Sequence, residues 1–346
     1  MVKDLIFLDT NPALLVDASN LLIRLLYSRQ KGSNLLTESE LISSVSDMFI
    51  HQLAIQARNF NCSSLYVVFD IGGSLRKKAL MADYKGNREM APIAGIGLDT
   101  KDYIFSVYGK LRDKVVELCR AFNLPVFMEM GIEADDVIGI MAEHLHNFGK
   151  HSIILSNDTD FLQCCSSPST SCYVPYKKLT VNNKNFPDHF NDLKGIKIHA
   201  NEYLFYKAIV GDPGDNIPGV KRIGYKTLHK IKEAYFEKDQ SLLNLYSTDP
   251  IGFINLVATV DSTDKFLTII KENHQLILLN YKLIDLSSTY ASASVLHQSL
   301  KFLSSNTLAK PTFKDINSKY KEIFNCAPRF ELIIESLSCL TKCFPA

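Results

Sequence analysis

Nine carboxylates in this sequence fall into short, widely spaced groups. They are Asp17 in VDASNLL, Asp70 in VVFD, Glu133, Asp135 and Asp136 in GIEADD, Asp158 and Asp160 in SNDTDF, and Asp212 and Asp215 in GDPGDNIPG. Carboxylates gathered in one place repel one another and resist ionisation unless cations lie among them or their pKa values rise. Oxygen-only donor sets, without histidine or cysteine, select Mg2+ or Mn2+ over zinc, and Mg2+ keeps several waters while taking few direct carboxylates. Some of the nine would then bind metal directly and others would hold its waters. The densest group, GIEADD, is ambiguous taken alone, because acids in the first turn of a helix also complement its dipole and cap it. On an ideal helix Glu133 and Asp136 share a face and Asp135 does not. Either the segment begins irregularly or Asp135 serves a different ion or water.

The 346 residues, 46% hydrophobic and 22% charged, suit one large globular unit or two intimate ones. No stretch approaches the roughly 18 uninterrupted apolar residues of a membrane span, and Asp9 and Asp17 interrupt the apolar N-terminal run, unlike a signal peptide's core. A cytoplasmic protein without a membrane role is the expectation. The eight cysteines include no CxxC pair and several sit in apolar surroundings, as reduced thiols do, so a zinc site is not expected.

The formal net charge of +1 hides its distribution. Between Gly72 and Met90, Arg76, Lys77, Lys78, Lys85 and Arg88 stand against Asp83 and Glu89. Between Ile217 and Lys238, Lys221, Arg222, Lys226, Lys230, Lys232 and Lys238 stand against Glu233 and Glu237. Setting the nine grouped acids aside leaves 28 of 37 acids against 38 basic residues, a surplus of ten that suits a nucleic-acid partner. Either island alone reads equally well as a solvated face, Arg76, Lys77 and Lys78 as a plain solvated turn.

These residues need a scaffold. ALLVDAS, SLYVVFD, LPVFMEM and SIILSND each read as a short buried strand followed by a helical or loop segment, which implies a mostly parallel α/β sheet flanked by helices. Ligands of such sheets bind beyond the carboxyl ends of the strands, where Asp17, Asp70, Glu133 and Asp158 lie. CCSSPSTSC, at 164–172, reads as a loop, and from about residue 195 the pattern becomes helical. The last segment, from LAKPTF onward, reads as one or two helices, packing onto the core rather than docking a partner.

In order, VDASNLL, VVFD, YKGNRE, GIEADD, SNDTDF and VGDPGDNIPGVKRIGYKT resemble the motifs of the 5′ nuclease superfamily of flap endonucleases and 5′→3′ exonucleases. The likeness is to its stand-alone bacteriophage type and to the 5′ nuclease domain of bacterial DNA polymerase I, and it runs over about residues 12–235. It implies a PIN-like fold, with a catalytic core at 1–195 that includes a helical arch at about 84–110. A helical region at 196–290 would carry a DNA-binding helix-turn-helix at about 209–235, and a C-terminal helical segment of unassigned role would follow at 291–346. Carried over by position, Asp17, Asp70, Glu133, Asp135 and Asp136 form a first metal group, and Asp158, Asp160, Asp212 and Asp215 a second. Lys85 and Arg88 would contact the scissile phosphate, and Tyr84 would stack on a base. Gly219 and Gly224, with Lys221, Arg222 and Lys226, would bind duplex phosphates in a hairpin that in the family also holds K+. Pro92, Gly95 and Gly97 break helices, so a flexible or partly non-helical arch is expected over 89–110.

The implied activity is hydrolysis of phosphodiesters in branched DNA, or of an RNA primer on DNA, by two Mg2+ ions, with Mn2+ as a substitute. A monomer acting in trans with a replicative polymerase is expected, since no polymerase-sized continuation follows. Two readings compete: a non-catalytic branched-DNA-binding protein of the same fold, and a PIN-type endoribonuclease. The intact acid set opposes the first, and the helix-turn-helix with its glycines opposes the second. A haloacid-dehalogenase phosphatase would need its DxD after the first strand, whereas DTD follows a later one.

Overall fold

The computed structural model describes residues 11–31, 36–86, 98–304 and 309–344. In chain order the elements begin with β1 (Ala13–Asp17), α1 (Ala18–Lys31), α2 (Glu38–Asn59), β2 (Ser64–Ile71), α3 (Leu75–Leu80), α4 (Leu98–Ala121), β3 (Val126–Met130), α5 (Ala134–Asn147) and β4 (Ser152–Leu155). A 3-10 helix at Thr159–Ser166, β5 (Thr170–Val174), β6 (Leu179–Val181), α6 (Phe186–Lys194), α7 (Tyr203–Val210) and α8 (Tyr225–Phe236) follow. Then come α9 (Leu243–Thr248), α10 (Pro250–Thr259), α11 (Lys265–Glu272), α12 (His274–Ile284), α13 (Ala293–Leu303), α14 (Phe313–Phe324) and α15 (Phe330–Cys339).

The sheet order is β3-β2-β1-β4-β5-β6, with every pair parallel except β5 and β6. All four strands expected from the sequence are present. Both sheet faces are covered, which is why these strands read as unbroken apolar runs. Leu14, Val16, Val67, Phe69, Ile153 and Leu155 point into a core shared with α1, α2, α4, α14 and α15. Ala13, Leu15, Val68 and Ile154 point into the opposite core with α5 and the helical region. Because strand side chains alternate, Asp17 continues the face of Ala13 and Leu15, and Asp70 the face of Val68. Both carboxylates therefore emerge on the α5 side. The chain turns back on itself between β1 and β4, so Asp17 and the loop after β4 flank the crevice where the strand order reverses.

One segment differs from expectation. Residues 164–172 are not a plain loop: 164–166 complete the 3-10 helix, and β5 begins at Thr170. From Leu98 the chain is helical, so residues 98–110 of the expected arch open α4, and the expected helix breakers Pro92, Gly95 and Gly97 lie outside the described residues. No described helix is long and apolar enough to cross a membrane. All eight cysteines are free.

The C-terminal helices pack on the core, as expected. Ile316, Tyr320, Ile333 and Leu337 are buried with the residues of α2 and α4. Within that contact the Tyr320 hydroxyl donates to Asp47 Oδ1 at 2.8 Å, both groups being buried. Removing the hydroxyl leaves a buried carboxylate short of a donor, so Tyr320→Phe is expected to lower unfolding free energy in urea by about 1–3 kcal/mol. An unchanged midpoint and slope would mean that the segment does not contribute through this bond.

Candidate metal centre

Four carboxylates face one another at the strand-order reversal. Asp17 is 4% exposed; its Oδ2 accepts from the Ser156 hydroxyl at 2.7 Å and its Oδ1 from the Asn20 N–H at 3.1 Å. Burial, followed by repulsion from Asp70, raises its pKa to about 7. Asp158 is raised to about 6, first by burial and then by Asp160. Asp70 and Asp135 are raised by burial too, and Asp135 meets repulsion from Asp158 and Asp70. Such a set holds an excess of negative charge that a cation would relieve.

Glu133 and Asp136 are arranged otherwise. Lys77, 2% exposed, places its ammonium 2.9 Å from Glu133 Oε2 and 3.1 Å from Asp136 Oδ1. Arg76 adds a contact of 3.3 Å to Asp136 while donating to the Lys282 carbonyl at 2.7 Å. Lys85 lies 2.7 Å from Glu133 Oε1 and 3.7 Å from Asp215 Oδ2. Against the burial that would raise it, Lys77 and Lys85 pull the Glu133 pKa down to about 2. The solvated-turn reading of Arg76 and Lys77 is therefore corrected: both turn inward as counter-ions, and only Lys78 is exposed.

The GIEADD question resolves in the same geometry. Glu133 is the N-cap of α5 with extended backbone, but its side chain caps nothing. The capping is done from the neighbouring strand, where Asp70 Oδ1 accepts the Ala134 N–H at 2.6 Å. Glu133 and Asp136 do share one side, that of Lys77, which leaves Asp135 to the Asp70 and Asp158 side. Tyr84 is also corrected. At 2% exposure it has no ring face open for a base; its hydroxyl lies 3.1 Å from both Glu133 Oε2 and Asp215 Oδ2 and joins the two acid groups. Arg88 lies outside the described residues.

The second group brings Asp160, Asp212 and Asp215 together, with one carboxylate oxygen from each within 4.8 Å of the others. Asp158 stands between the groups, its Oδ1 accepting the Asp160 N–H at 2.9 Å. Sequence reasoning missed Lys207 here. It is 4% exposed, ion-paired to Asp160 and, at 2.7 Å, to Asp212. Its signal was present: it is a lone cation in YLFYKAIV, a helix otherwise apolar, five residues before Asp212. The pairing raises the Lys207 pKa despite burial, and Asp212 is lowered in spite of its own. The donors left facing one another are all oxygens, which fits a hard divalent ion. Among the described residues, Asp160, Asp212 and Asp215 each offer a carboxylate oxygen close enough to the others to share an ion.

Beyond this group, α7 and α8 are joined by residues 211–224, and Lys221, Arg222, Gly224 and Lys226 are exposed. Gly224 is the N-cap of α8 with open space where a Cβ would stand. Gly219 serves the chain itself: a Cβ there would lie 1.9 Å from the Val210 carbonyl oxygen. Lys232, counted in the basic island, is buried against Glu202 at 2.6 Å and is no surface cation.

Residues 12–191 match the family model described as the 5′-3′ exonuclease N-terminal resolvase-like domain. The chain belongs to the 5′-3′ exonuclease family. Within it, the chain is 26% identical to a 5′-3′ exonuclease of Buchnera aphidicola over 240 residues, 67% of this chain and 76% of the relative. It is 33% identical to DNA polymerase I of Caldicellulosiruptor bescii over 180 residues, 52% of this chain but only 19% of that much longer protein. Its fold is also that of a bacteriophage T5 flap endonuclease solved with DNA and metal ions, at a TM-score of 0.60 and 19% identity, covering 91% of this chain and 98% of that one.

The pKa pattern fixes how this exonuclease-family chain should respond to pH when metal is withheld. Asp17 and Asp158, raised to about 7 and about 6, keep protons in the folded state that the unfolded chain releases. Their stabilising contribution is full below the ordinary carboxylate range and is lost as pH rises through 6 to 7. Glu133, depressed to about 2, stabilises above its ordinary range and loses that contribution as pH falls towards 2. In EDTA the melting temperature is therefore expected to peak near pH ~5 and to fall towards pH ~7.5, with Mg2+ reversing the fall and Asp17→Asn flattening it. A flat profile that ignores both changes would contradict mutual repulsion in this group.

Lys77 gives a second test. Lys77→Met strips the ammonium from Glu133 and Asp136, so the metal-free protein should lose on the order of 3–5 kcal/mol, and the stabilisation added by Mg2+ should exceed that in wild type. Equal losses with and without Mg2+ would reduce Lys77 to a packing role.

Proposed function

We propose that this chain is a structure-specific 5′ nuclease, a 5′→3′ exonuclease and flap endonuclease acting on branched DNA or on an RNA primer paired to DNA. The observation that carries the reading is the convergence of two carboxylate groups at one sheet edge with Lys85 between them. Mg2+ is the proposed metal, with Mn2+ able to replace it and K+ at the hairpin before α8. Bound divalent ions would supply positive charge to the attacking and leaving oxygens and acidify the attacking water. Asp17, Asp70, Asp135 and Asp158 would hold one such ion and Asp160, Asp212 and Asp215 the other, while Glu133 and Asp136 hold Lys77, Arg76 and Lys85 in place.

The chain's own residues would do the rest. No protein nucleophile is required, since water attacks the phosphorus, the bond to the 3′ oxygen breaks, and 5′-phosphate and 3′-hydroxyl ends result. Lys85, at the edge of the centre, can exchange a carboxylate for a phosphoryl oxygen and stabilise charge that grows in the transition state. Arg88 is proposed to act beside it. The Gly224 N-terminus of α8, with Lys221, Arg222 and Lys226, offers N–H groups and charge to duplex phosphates without reading sequence. The division at 195 and 290, the arch at 84–110, a monomeric state and service to a polymerase in trans belong to the same proposal.

Cleavage of a 5′-flap duplex in Mg2+, with plain single-stranded RNA left intact and no cleavage in EDTA, is the direct test. Within it, Lys85→Ala is expected to lower the single-turnover rate by more than about tenfold at saturating enzyme, with Lys78→Ala near wild type. Full recovery of Lys85→Ala at saturation would reduce Lys85 to attracting the substrate. Preference for the RNA would favour the endoribonuclease reading, and flap binding without cleavage the non-catalytic one.

A further inference from the structure

We infer that Tyr176, with Arg24 and Lys177, forms a stacking subsite for an unpaired nucleobase of the substrate, beside the metal centre and separate from the helix-turn-helix. The inference rests on the nuclease reading above and adds to it where a single strand is held.

Tyr176 sits at the tip of the hairpin between β5 and β6 with 59% of its surface exposed. Since β5 runs parallel to β4, that tip emerges at the same sheet edge as Asp158. It is tied there by a short chain of hydrogen bonds. The Tyr176 N–H donates to Asn157 Oδ1 at 3.2 Å, Asn157 Nδ2 donates to Asn20 Oδ1 at 3.1 Å, and the Asn20 N–H donates to Asp17 at 3.1 Å. The backbone carrying the ring is thus fixed to the carboxylate that opens the metal centre.

Two cations accompany the ring. The Arg24 guanidinium lies 5.4 Å from its centroid and the Lys177 ammonium 5.6 Å. Arg24 is half-buried, and its Nη1 finds no hydrogen-bond partner among the described residues. Neither cation has an acidic partner among those residues, in contrast to Lys77, Lys85 and Lys207. Phe148 and Phe330, exposed to 68% and 58%, have no cation over their rings among the described residues, so exposure alone does not produce this arrangement.

An exposed aromatic face flanked by unpaired cations is the chemistry that holds single-stranded nucleic acid: the ring takes any base, and the cations take its phosphates. Arg24 stands seven residues after Asp17 in the chain, about 10 Å along α1 at ~1.5 Å per residue. That is about three nucleotides of stacked strand at ~3.4 Å each, so the subsite suits a base a few nucleotides from the reacting bond. Lys177, on a flexible stem, is displaced from the ring to a phosphate when the base arrives.

The test compares a 5′-flap DNA with several unpaired nucleotides and a fully paired duplex of equal length, bound in Ca2+ so that cleavage does not intervene. Tyr176→Ala should weaken flap binding by roughly 10-fold or more and leave duplex binding unchanged, and Tyr176→Phe, which keeps the ring, should resemble wild type. 2-Aminopurine placed in the flap should be quenched on binding wild type and Tyr176→Phe but not Tyr176→Ala. Equal binding of both DNAs by wild type and Tyr176→Ala, a parallel loss on both, or unaltered quenching would each overturn the subsite. If wild type cleaves the flap in Mg2+ while Tyr176→Ala behaves like it, only the subsite falls. If wild type neither binds nor cleaves the flap, the nuclease reading fails and the subsite with it.

Discussion

Charge compensation at one sheet edge is the constraint on which the rest of this structure depends. Nine carboxylates gathered in a folded protein resist being all ionised and unpaired. Here the load is divided. Glu133 and Asp136 are neutralised by Lys77, Arg76 and Lys85, whereas Asp160 and Asp212 share the single charge of Lys207. Asp17, Asp70, Asp135 and Asp158 have no such partner at bonding distance among the described residues, and their pKa values are raised. The permanent cations offset part of the charge, and the acids left uncompensated or half-compensated carry the remainder.

The division explains which parts were legible in the sequence. The four parallel strands could be read because burial on both faces writes a continuous apolar run, and the carboxylates could be read because strand ends place them at one edge. Lys77 could not be distinguished from Lys78 by local pattern. Its partners Glu133 and Asp136 lie 56 or more residues away, and only the closure of α3 against α5 turns one lysine inward and leaves its neighbour in solvent. Tyr84 was misjudged for the same reason, its two acceptors arriving from 49 and 131 residues further on. Gly219 shows the converse case, in which a glycine expected to admit a phosphate is required by the chain's own carbonyl at Val210. β5 was obscured because its five residues follow a run of serine and proline that reads as a loop.

The interior lysines also connect parts of the molecule that the sequence lists separately. Residues 75–86 enter the acidic centre through Lys77, Tyr84 and Lys85, and the same stretch is held to the turn after α7 by two further bonds. The Lys85 N–H donates to the Asp215 carbonyl at 2.9 Å, and Asn216 Nδ2 donates to the Asp83 carbonyl at 2.8 Å. Lys85 adopts φ of 57°, a left-handed conformation that non-glycine residues rarely take and that these contacts must maintain. The base of the segment read as an arch, the second acid group and the start of the connection between α7 and α8 therefore share one hydrogen-bonded unit.

That sharing has a consequence for how substrate is received. A phosphate drawn to Lys85, as proposed, would compete with Glu133 and Asp215 for the same ammonium, and Asp215 is at once a candidate metal ligand and part of the connection that leads to the exposed turn at 221–226. Occupying the second acid group with a divalent ion would weaken the hold of Asp215 on Lys85 by direct electrostatic competition, freeing the ammonium for the phosphate. Metal binding and release of Lys85 are then favourable to each other, and by linkage each must strengthen the other to the same degree. The lysine that pairs with Glu133 and Asp215 is in this way the group that a bound divalent ion would make available.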